Sequence, residues 1–251
     1  MAKAFHQCER HCVIPPLVKG NHFLTFVDAS REIFTAAQCA GAKLLHDVPI
    51  RRALLPADTL ALARFLVGRR LVRAFPDGIA AGRIVETEAY PPGDPAAHHY
   101  RRMTDRNRSL FLGLGRAYVY RAYGTCWMLN VASEREGVGG GVLIRALAPE
   151  QGLGLMAERR GAGVKPHDLA RGPGRLAAAL GVDRSFDGMD LCAPGELFLA
   201  ADDRDSGEIR GEIGVSVRIG ISRAADRPWR FFVPGSRFVS GPAWLNRPKP
   251  V

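Results

Sequence analysis

The sequence predicts a single α+β domain in which helices surround a curved, mostly antiparallel β-sheet. Three observations lead to this prediction. The predicted strands outnumber the predicted helices, and they follow one another through short turns. The chain of 251 residues is also long enough to bury a substantial core. Hydrophobic residues make up 47% of the chain and charged residues 24%, which indicates a globular protein rather than a disordered one.

The first 50 residues show no sustained hydrophobic periodicity. We predict that they form an N-terminal extension or follow from a misplaced start codon. A local group of possible metal ligands in this segment consists of His6, Cys8, His11 and Cys12. Because no second Cys/His pair follows at the spacing of a zinc site, we expect no metal. The five scattered cysteines also argue against a disulfide framework and favour a reducing compartment.

The first predicted elements are a helix and a β-hairpin. Asp58 can cap a helix whose apolar residues recur at helical spacing as far as Val67. Two strands follow, and the Pro-Asp-Gly turn at 76–78 between them is typical of a hairpin. The second strand ends near Tyr90 and carries Glu86 and Glu88. Alternation along a strand places these three side chains on one face.

The elements beyond the hairpin are shorter. Predicted strands cover residues 117–122, 127–132 and 142–147, followed by a strand near Leu197 and strands at 215–221 and 229–233. Predicted helices run from Thr104 to Phe111, from Pro149 to about Arg160, and from Pro173 to Leu180. The Gly-rich turn at 137–141 does not lead into a helix, so it does not predict a phosphate-binding loop.

The charge of the chain indicates a polyanionic partner. There are 35 Lys and Arg residues against 25 Asp and Glu, a formal net charge of +10. Such an excess suits nucleic acid, because basic side chains displace the counterions condensed on phosphates. The sequence has no apolar run of about eighteen residues and no secretory signal at its start, so we expect a cytoplasmic, nucleoid-associated protein.

Two further features could carry chemistry. Three tyrosines lie within one short segment: Tyr118, Tyr120 and Tyr123. Arg145 stands inside an otherwise apolar strand. Strand tyrosines usually belong to a core, and an arginine in an apolar strand usually pairs with a carboxylate. The residues taken alone therefore predict only a basic α+β protein that binds nucleic acid.

A series of motifs follows between about residues 55 and 242, in this chain order: GRIVETEAY (82–90), DPAAH (94–98), TDRNR (104–108), YVYRAYG (118–124), MLNV (128–131), VLIRAL (142–147), GPGRL (172–176), SFD (185–187) and RFFV (230–233). Together these motifs resemble the alkyladenine (3-methyladenine) DNA glycosylase family. Many separate segments agree in type and spacing, so the resemblance is specific. It implies that residues 51–251 form a glycosylase-like catalytic domain.

The resemblance implies roles in catalysis and selectivity for four residues. Glu88 matches the general base that deprotonates the attacking water. Arg145 matches an arginine beside that water and the phosphate of the flipped nucleotide. Asn130 matches a side chain that crowds the amino group of guanine, which favours adenine-type lesions. Leu143 matches a residue that lines the pocket near its floor.

The resemblance also implies how the damaged base is held. Tyr90 and His98 match one wall of the base pocket, and Tyr120 matches the other. Because His98 is followed by His99, either could be the pocket histidine. Tyr123 matches the side chain that is wedged into the duplex where the base has left.

We therefore predict a monofunctional DNA glycosylase that removes alkylated or deaminated purines from double-stranded DNA as a monomer without a cofactor. Glycosylases that also cut the strand use an amine to form a Schiff base. Lys165 is the one lysine between Lys43 and Lys249, and it lies outside the matched site motifs. A non-catalytic DNA-binding module is the alternative prediction. A metal-dependent nuclease would need more clustered carboxylates or histidines than the site offers.

Overall fold

One curved antiparallel sheet dominates the structure, a computed structural model that describes residues 47–122, 124–201 and 211–247. Its strands are β1 (Arg70–Phe75), β2 (Gly78–Tyr90), β3 (Ala117–Ala122), β4 (Cys126–Ala132), β5 (Gly141–Gln151), β6 (Leu197–Ala200), β7 (Gly214–Ser216) and β8 (Arg230–Phe232). The main strand order is β3-β4-β5-β2-β1-β6, while β8 pairs with both β2 and β7. The group of possible metal ligands at 6–12 lies outside the described residues.

The long strand β2 organises the sheet. One edge of β2 pairs with β5 along most of its length. The other edge pairs with β1 over residues 78–83 and with β8 over residues 86–88. Register shifts between β2 and β5 occur near Gly82 and on both sides of Glu86. Such irregularities bend a strand and increase its twist, which contributes to the curvature of the sheet.

Helices α1 (Thr59–Leu66), α2 (Leu153–Arg160) and α3 (Pro173–Ala179) accompany the sheet, together with short 3-10 helices at Arg52–Leu54, Arg108–Phe111, Pro166–Asp168, Arg184–Phe186 and Ala243–Asn246. The predicted α+β class is confirmed. The cap of α1 is also as predicted, because the Asp58 carboxylate accepts a hydrogen bond from the Ala61 amide at 2.8 Å. No helix in the described ranges is long and apolar enough to cross a membrane.

The largest core cluster lies between the sheet and the helices. Leu62 and Leu66 of α1 and Leu176 of α3 are fully buried against sheet residues such as Ile84 and Ile144. Residues at the end of the predicted N-terminal extension join this core: Ile50 is buried, and its amide donates to the Leu199 carbonyl at 2.8 Å. The side chains that face this core therefore fix β2 and its neighbours in place.

Several elements differ from the predictions. The helix predicted from Pro149 is wrong at its start, because β5 continues to Gln151 and α2 begins only at Leu153. Pairing of Pro149 with Gly82 extends the strand, although proline at a first helical turn favours a helix. The helix predicted from Thr104 is limited to a 3-10 turn at Arg108–Phe111.

The strand predicted at 215–221 is also shorter than expected. Ladder pairing of β7 ends at Ser216, and the next residues leave the sheet. The hairpin, the strands at 117–122 and 127–132, and the helix at 173–180 are confirmed within one residue at each end. The residues that depart from the ladder after Ser216 return to the end of β2, where the candidate site lies.

Candidate active site

A single row of paired residues crosses five strands beside a cavity. Tyr118 of β3 pairs with Asn130 of β4, which pairs with Leu143 of β5. Leu143 also pairs with Glu88 of β2, and Glu88 pairs with Arg230 of β8. Directly paired residues lie on the same face of an antiparallel sheet. The register therefore brings together side chains from motifs that are far apart in the chain.

The cavity has a volume of about 460 Å³, which is within the range of small-molecule pockets. Predicted site residues that line it are Glu88, Tyr90, His98, Tyr120, Asn130, Leu143 and Arg145. The structure thus brings together all the predicted pocket and catalytic residues that it describes. Tyr123, the predicted wedge, lies outside the described residues.

Glu88 is fully buried at the end of β2 and accepts hydrogen bonds from two directions. Its Oε1 accepts from the Ile219 amide at 2.7 Å, and its Oε2 accepts from the Tyr90 hydroxyl at 3.0 Å. The Arg145 guanidinium lies 3.1 Å from Oε2. A carboxylate has about four acceptor positions. These three donors leave one position that a water molecule could use.

Burial and the neighbouring carboxylate fix the protonation state of the Tyr90 hydroxyl. Burial raises the pKa of Tyr90, and the charge of Glu88 and its hydrogen bond with the hydroxyl raise it further. Arg218 opposes these effects without overcoming them. The hydroxyl therefore stays protonated at neutral pH and can donate to Glu88.

Glu86 lies behind Arg145, outside the cavity lining. Its Oε1 accepts from the Nε of Arg145 at 2.8 Å and from the Nε of Arg230 at 2.6 Å. Its Oε2 accepts from the Ser240 amide at 2.7 Å. Burial would raise the pKa of Glu86, but the charges of Arg145 and Arg230 hold it below its usual value. Glu86 therefore anchors Arg145, whereas Glu88 faces the cavity.

The aromatic side chains of the cavity contact one another. The rings of Tyr118 and Tyr120 stack with centroids 5.3 Å apart. His98 meets the Tyr120 ring edge to face at 4.4 Å, and its Nδ1 lies 2.8 Å from the Tyr118 hydroxyl. Burial lowers the pKa of His98, and the charge of Arg106 lowers it further, so the ring is neutral at pH 7. The two predicted walls therefore touch at the His98–Tyr120 contact.

The two adjacent histidines have different surroundings, although both line the cavity. His98 is accessible to solvent as a whole residue, but its ring is partly buried against the tyrosines. His99 is only 7% exposed; its Nε2 lies 3.1 Å from the Pro91 carbonyl oxygen, and its ring packs edge-on against Phe111. The contacts of His98 with the tyrosines favour it as the pocket histidine.

Asn130 of β4 and Leu143 of β5 form the part of the cavity wall that lies between β3 and β2. Both are nearly buried, with exposed fractions of 6% and 5%. The Asn130 side-chain amide donates to the Tyr118 carbonyl at 3.2 Å. This bond fixes the orientation of the side-chain amide. Within the described ranges, no group of three or more His, Cys, Asp or Glu residues is arranged to hold a metal ion.

Comparison with known proteins identifies the family. The model of the methylpurine-DNA glycosylase family matches residues 53–237. The chain belongs to this family.

A protein of Mesorhizobium japonicum is 59% identical over 198 residues, which is 79% of this chain and 93% of that protein. One from Paraburkholderia phytofirmans is 51% identical over 198 residues, covering 79% and 91%. Both are named "Putative 3-methyladenine DNA glycosylase". The resemblance seen in the motifs is confirmed, and family membership makes the chain a DNA glycosylase, a hydrolase of N-glycosyl bonds.

Some residues of the cavity were given no role from the sequence. Tyr118 is one, although its alternation with Tyr120 along β3 places both on one face. Ile219 is another, and it contributes a main-chain amide. Because any residue type supplies an amide, no sequence signal could have identified it. Arg106 also lines the cavity, and its place in the TDRNR motif was the available signal.

Proposed function

We propose that this chain is a monofunctional glycosylase of base excision repair. It flips alkylated or deaminated purines, of the 3-methyladenine, hypoxanthine and ethenoadenine class, out of duplex DNA and hydrolyses their N-glycosidic bonds. The observation that carries the proposal is Glu88, a buried carboxylate held by three donors inside an aromatic-lined cavity. A protein that only binds DNA has no need of a carboxylate in that position.

Glu88 acts as the general base. A water molecule that donates to the remaining acceptor position of Glu88 attacks the sugar carbon, and its proton passes to the carboxylate. The electron pair of the N-glycosidic bond leaves with the base. Arg145 and the Tyr90 hydroxyl hold the carboxylate in one orientation, so that little reorganisation is needed during the reaction. General-base assistance of this kind contributes about a hundredfold to ten-thousandfold.

The aromatic residues grip the flipped base. Tyr90 and His98 form one wall of the pocket and Tyr120 forms the other, and base–aromatic stacking contributes about 1–3 kcal/mol per base. Electron-rich rings also attract a positively charged alkylated purine. Because His98 touches Tyr120, these rings must separate before a base can stack between them. Tyr123 fills the space that the base leaves in the duplex.

Other side chains of the cavity select the base. The amide of Asn130 crowds the amino group of guanine, so adenine-type lesions fit better. Leu143 provides an apolar surface near the pocket floor. The enzyme acts as a monomer near the nucleoid, where its positive charge favours DNA.

The decisive experiment compares excision with binding in Glu88→Gln. Single-turnover release of hypoxanthine and ethenoadenine from duplex DNA should fall by about a hundredfold or more. Affinity for the same duplex should stay within a few-fold, because the amide keeps the shape of the carboxylate. Glu158→Gln on the exposed surface of α2 is the matched control and should behave like the wild type.

Three outcomes would contradict the proposal. Undiminished excision by Glu88→Gln would assign the general base to another group. If the wild type releases none of a panel that contains 3-methyladenine, hypoxanthine and ethenoadenine, the chain is a DNA-binding module. A rate that EDTA abolishes would favour a metal-dependent nuclease instead.

A further inference from the structure

Arg218 is a fully buried cation that does not line the cavity. Its side chain and that of Asp94 are both 0% exposed, and the two form a bidentate ion pair. The guanidinium also donates to the Ala89 carbonyl at 2.9 Å and to the Ala224 carbonyl at 3.3 Å. Arg218 therefore joins the end of β2 to the loop that follows β2 and to the segment between β7 and β8.

Arg218, the residue after it and its partner Asp94 each contact a different part of the site. The next residue in the chain, Ile219, donates its amide to Glu88. The guanidinium carbon of Arg218 lies 4.6 Å from the centroid of the Tyr90 ring. The carboxylate of Asp94 accepts from the Ala96 amide at 3.1 Å, which fixes the turn that leads to His98.

We propose that Arg218 and Asp94 are positioning residues that set the orientation of Glu88, Tyr90 and the loop bearing His98 from one buried point. The inference rests on the proposed role of Glu88 as general base. Neither residue touches the reacting atoms. They fix the position of the Glu88 carboxylate relative to the pocket wall formed by Tyr90 and His98. A guanidinium suits this role because its several donors have a fixed geometry.

A purely stabilising role explains this pair less well. The loss of hydration of two buried charges can exceed their mutual attraction, so apolar residues of similar volume often stabilise a fold equally well. The Nε–H of Arg218 is also buried without a hydrogen-bond partner among the described atoms. Geometry at the site, rather than stability, therefore accounts for the pair.

The pair also has an electrostatic consequence for the choice of base. Arg218 lies over the Tyr90 ring, but Asp94 neutralises its charge. Removal of the Asp94 charge would leave a cation behind this wall. That cation would oppose the stacking of a positively charged base, such as 3-methyladenine in DNA, more than the stacking of neutral hypoxanthine.

The test uses the full chain and single-turnover excision at saturating enzyme, which separates the chemical step from DNA binding. Arg218→Lys should slow hypoxanthine excision by roughly tenfold to a hundredfold with little change in duplex affinity. Asp94→Asn should lower the ratio of 3-methyladenine to hypoxanthine excision by roughly threefold to tenfold. Arg70→Lys alters another buried ion pair, at the start of β1, and should leave both rates unchanged.

A fourth variant separates geometry from folding. The double variant Arg218→Met with Asp94→Leu replaces the pair by apolar side chains. Its melting temperature should therefore stay near that of the wild type. Its rate of hypoxanthine excision should nevertheless be as low as that of Arg218→Lys. The proposal is overturned if the double variant or Arg218→Lys, once folded, excises at the wild-type rate. It is also overturned if Asp94→Asn leaves the ratio unchanged. Failure of the proposed function would look different, because Glu88→Gln would then excise at the same rate as the wild type, or both would be inactive.

Discussion

At the scale of single residues, His99 shows how a buried ring can couple the fold to pH. Because the Pro91 carbonyl can only accept, Nε2 of His99 carries the proton. Its Nδ1 is buried without a hydrogen-bond partner among the described atoms. Protonation would add a buried donor there. Burial therefore lowers the pKa of His99, and the Pro91 carbonyl, Asp94 and Glu134 only partly offset that effect.

This environment predicts a loss of stability in mild acid. As pH falls below about 6.5, the unfolded chain takes up a proton that the folded chain resists until its own lower pKa is reached. One such group contributes at most about 1.4 kcal/mol per pH unit. In His99→Gln the free energy of unfolding should therefore fall less between pH 7.5 and 5.5 than in the wild type.

Urea denaturation at the two pH values measures this difference. His167→Gln, at a partly exposed histidine, is the control for the loss of an imidazole elsewhere in the chain. An identical loss in His99→Gln and the wild type would show that the pKa of His99 is not lowered in the folded protein.

The sequence could identify the side chains of the candidate site better than their arrangement. The family motifs predicted Glu88 and Arg145, and the structure places both at the cavity. The separation of Glu86 from the cavity depends on Arg230 and Ser240, which come from distant segments. The amide of Ile219 could not be predicted, because hydrogen bonding by the main chain leaves no trace in residue type.

At the scale of elements, the connection between β5 and α2 depends on one glycine. Gly152 has φ of +68°, a left-handed conformation that other residues adopt at a cost. A Cβ atom on Gly152 would lie 2.3 Å from the Ile79 carbonyl oxygen of β2. Because β5 stays paired with β2 up to Gln151, the chain turns away from the sheet at Gly152, next to the main chain of β2. The proline signal at Pro149 could not reveal this long-range pairing.

Two glycine substitutions test this explanation. Gly152→Ala should lower the free energy of unfolding by about 2–4 kcal/mol, through the left-handed backbone and the contact with β2. Gly154→Ala lies two residues later within α2, where an added Cβ would meet no atom within 4 Å. That variant should instead raise stability by about 0.5–1 kcal/mol. Equal effects of both substitutions in urea denaturation would contradict the explanation.

The longer elements were predictable because their patterns are local. The hairpin of β1 and β2 has a Pro-Asp-Gly turn, and α3 begins at a proline and is followed by Gly181. The short strand β7 has little pattern of its own, and it is defined by pairing with β8. The row of paired residues that forms the site also depends on register between distant strands, which no local pattern encodes.

At the scale of the whole molecule, two groups of arginines have opposite environments. Among the residues that the structure describes, six arginines are buried and serve the fold or the site: Arg69, Arg70, Arg73, Arg145, Arg218 and Arg230. Others are exposed in the loop that follows His98, near the cavity: Arg101, Arg102, Arg106 and Arg108. The net charge of +10 therefore does not measure DNA affinity directly. The exposed group beside the cavity is better placed to contact phosphates.

The distribution of lysines over the whole chain leads to the last prediction. Lys165 is exposed just before the 3-10 helix Pro166–Asp168 and does not line the cavity. The other four lysines lie outside the described residues. Strand cleavage by a glycosylase requires an amine that attacks the sugar to form a Schiff base. Because no lysine among the described residues lines the cavity, we expect water to attack instead.

Borohydride distinguishes the two mechanisms, since it reduces a Schiff base to a stable covalent complex. Incubation of the enzyme with lesion duplex and borohydride should give no protein–DNA adduct, while alkali should cut the strand at every site from which a base was released. A lysine-dependent glycosylase in a parallel reaction verifies the trapping. An adduct formed by the wild type would contradict direct water attack. Its loss in Lys165→Arg would assign the amine to Lys165, whereas its persistence would direct the search to the amines outside the described residues.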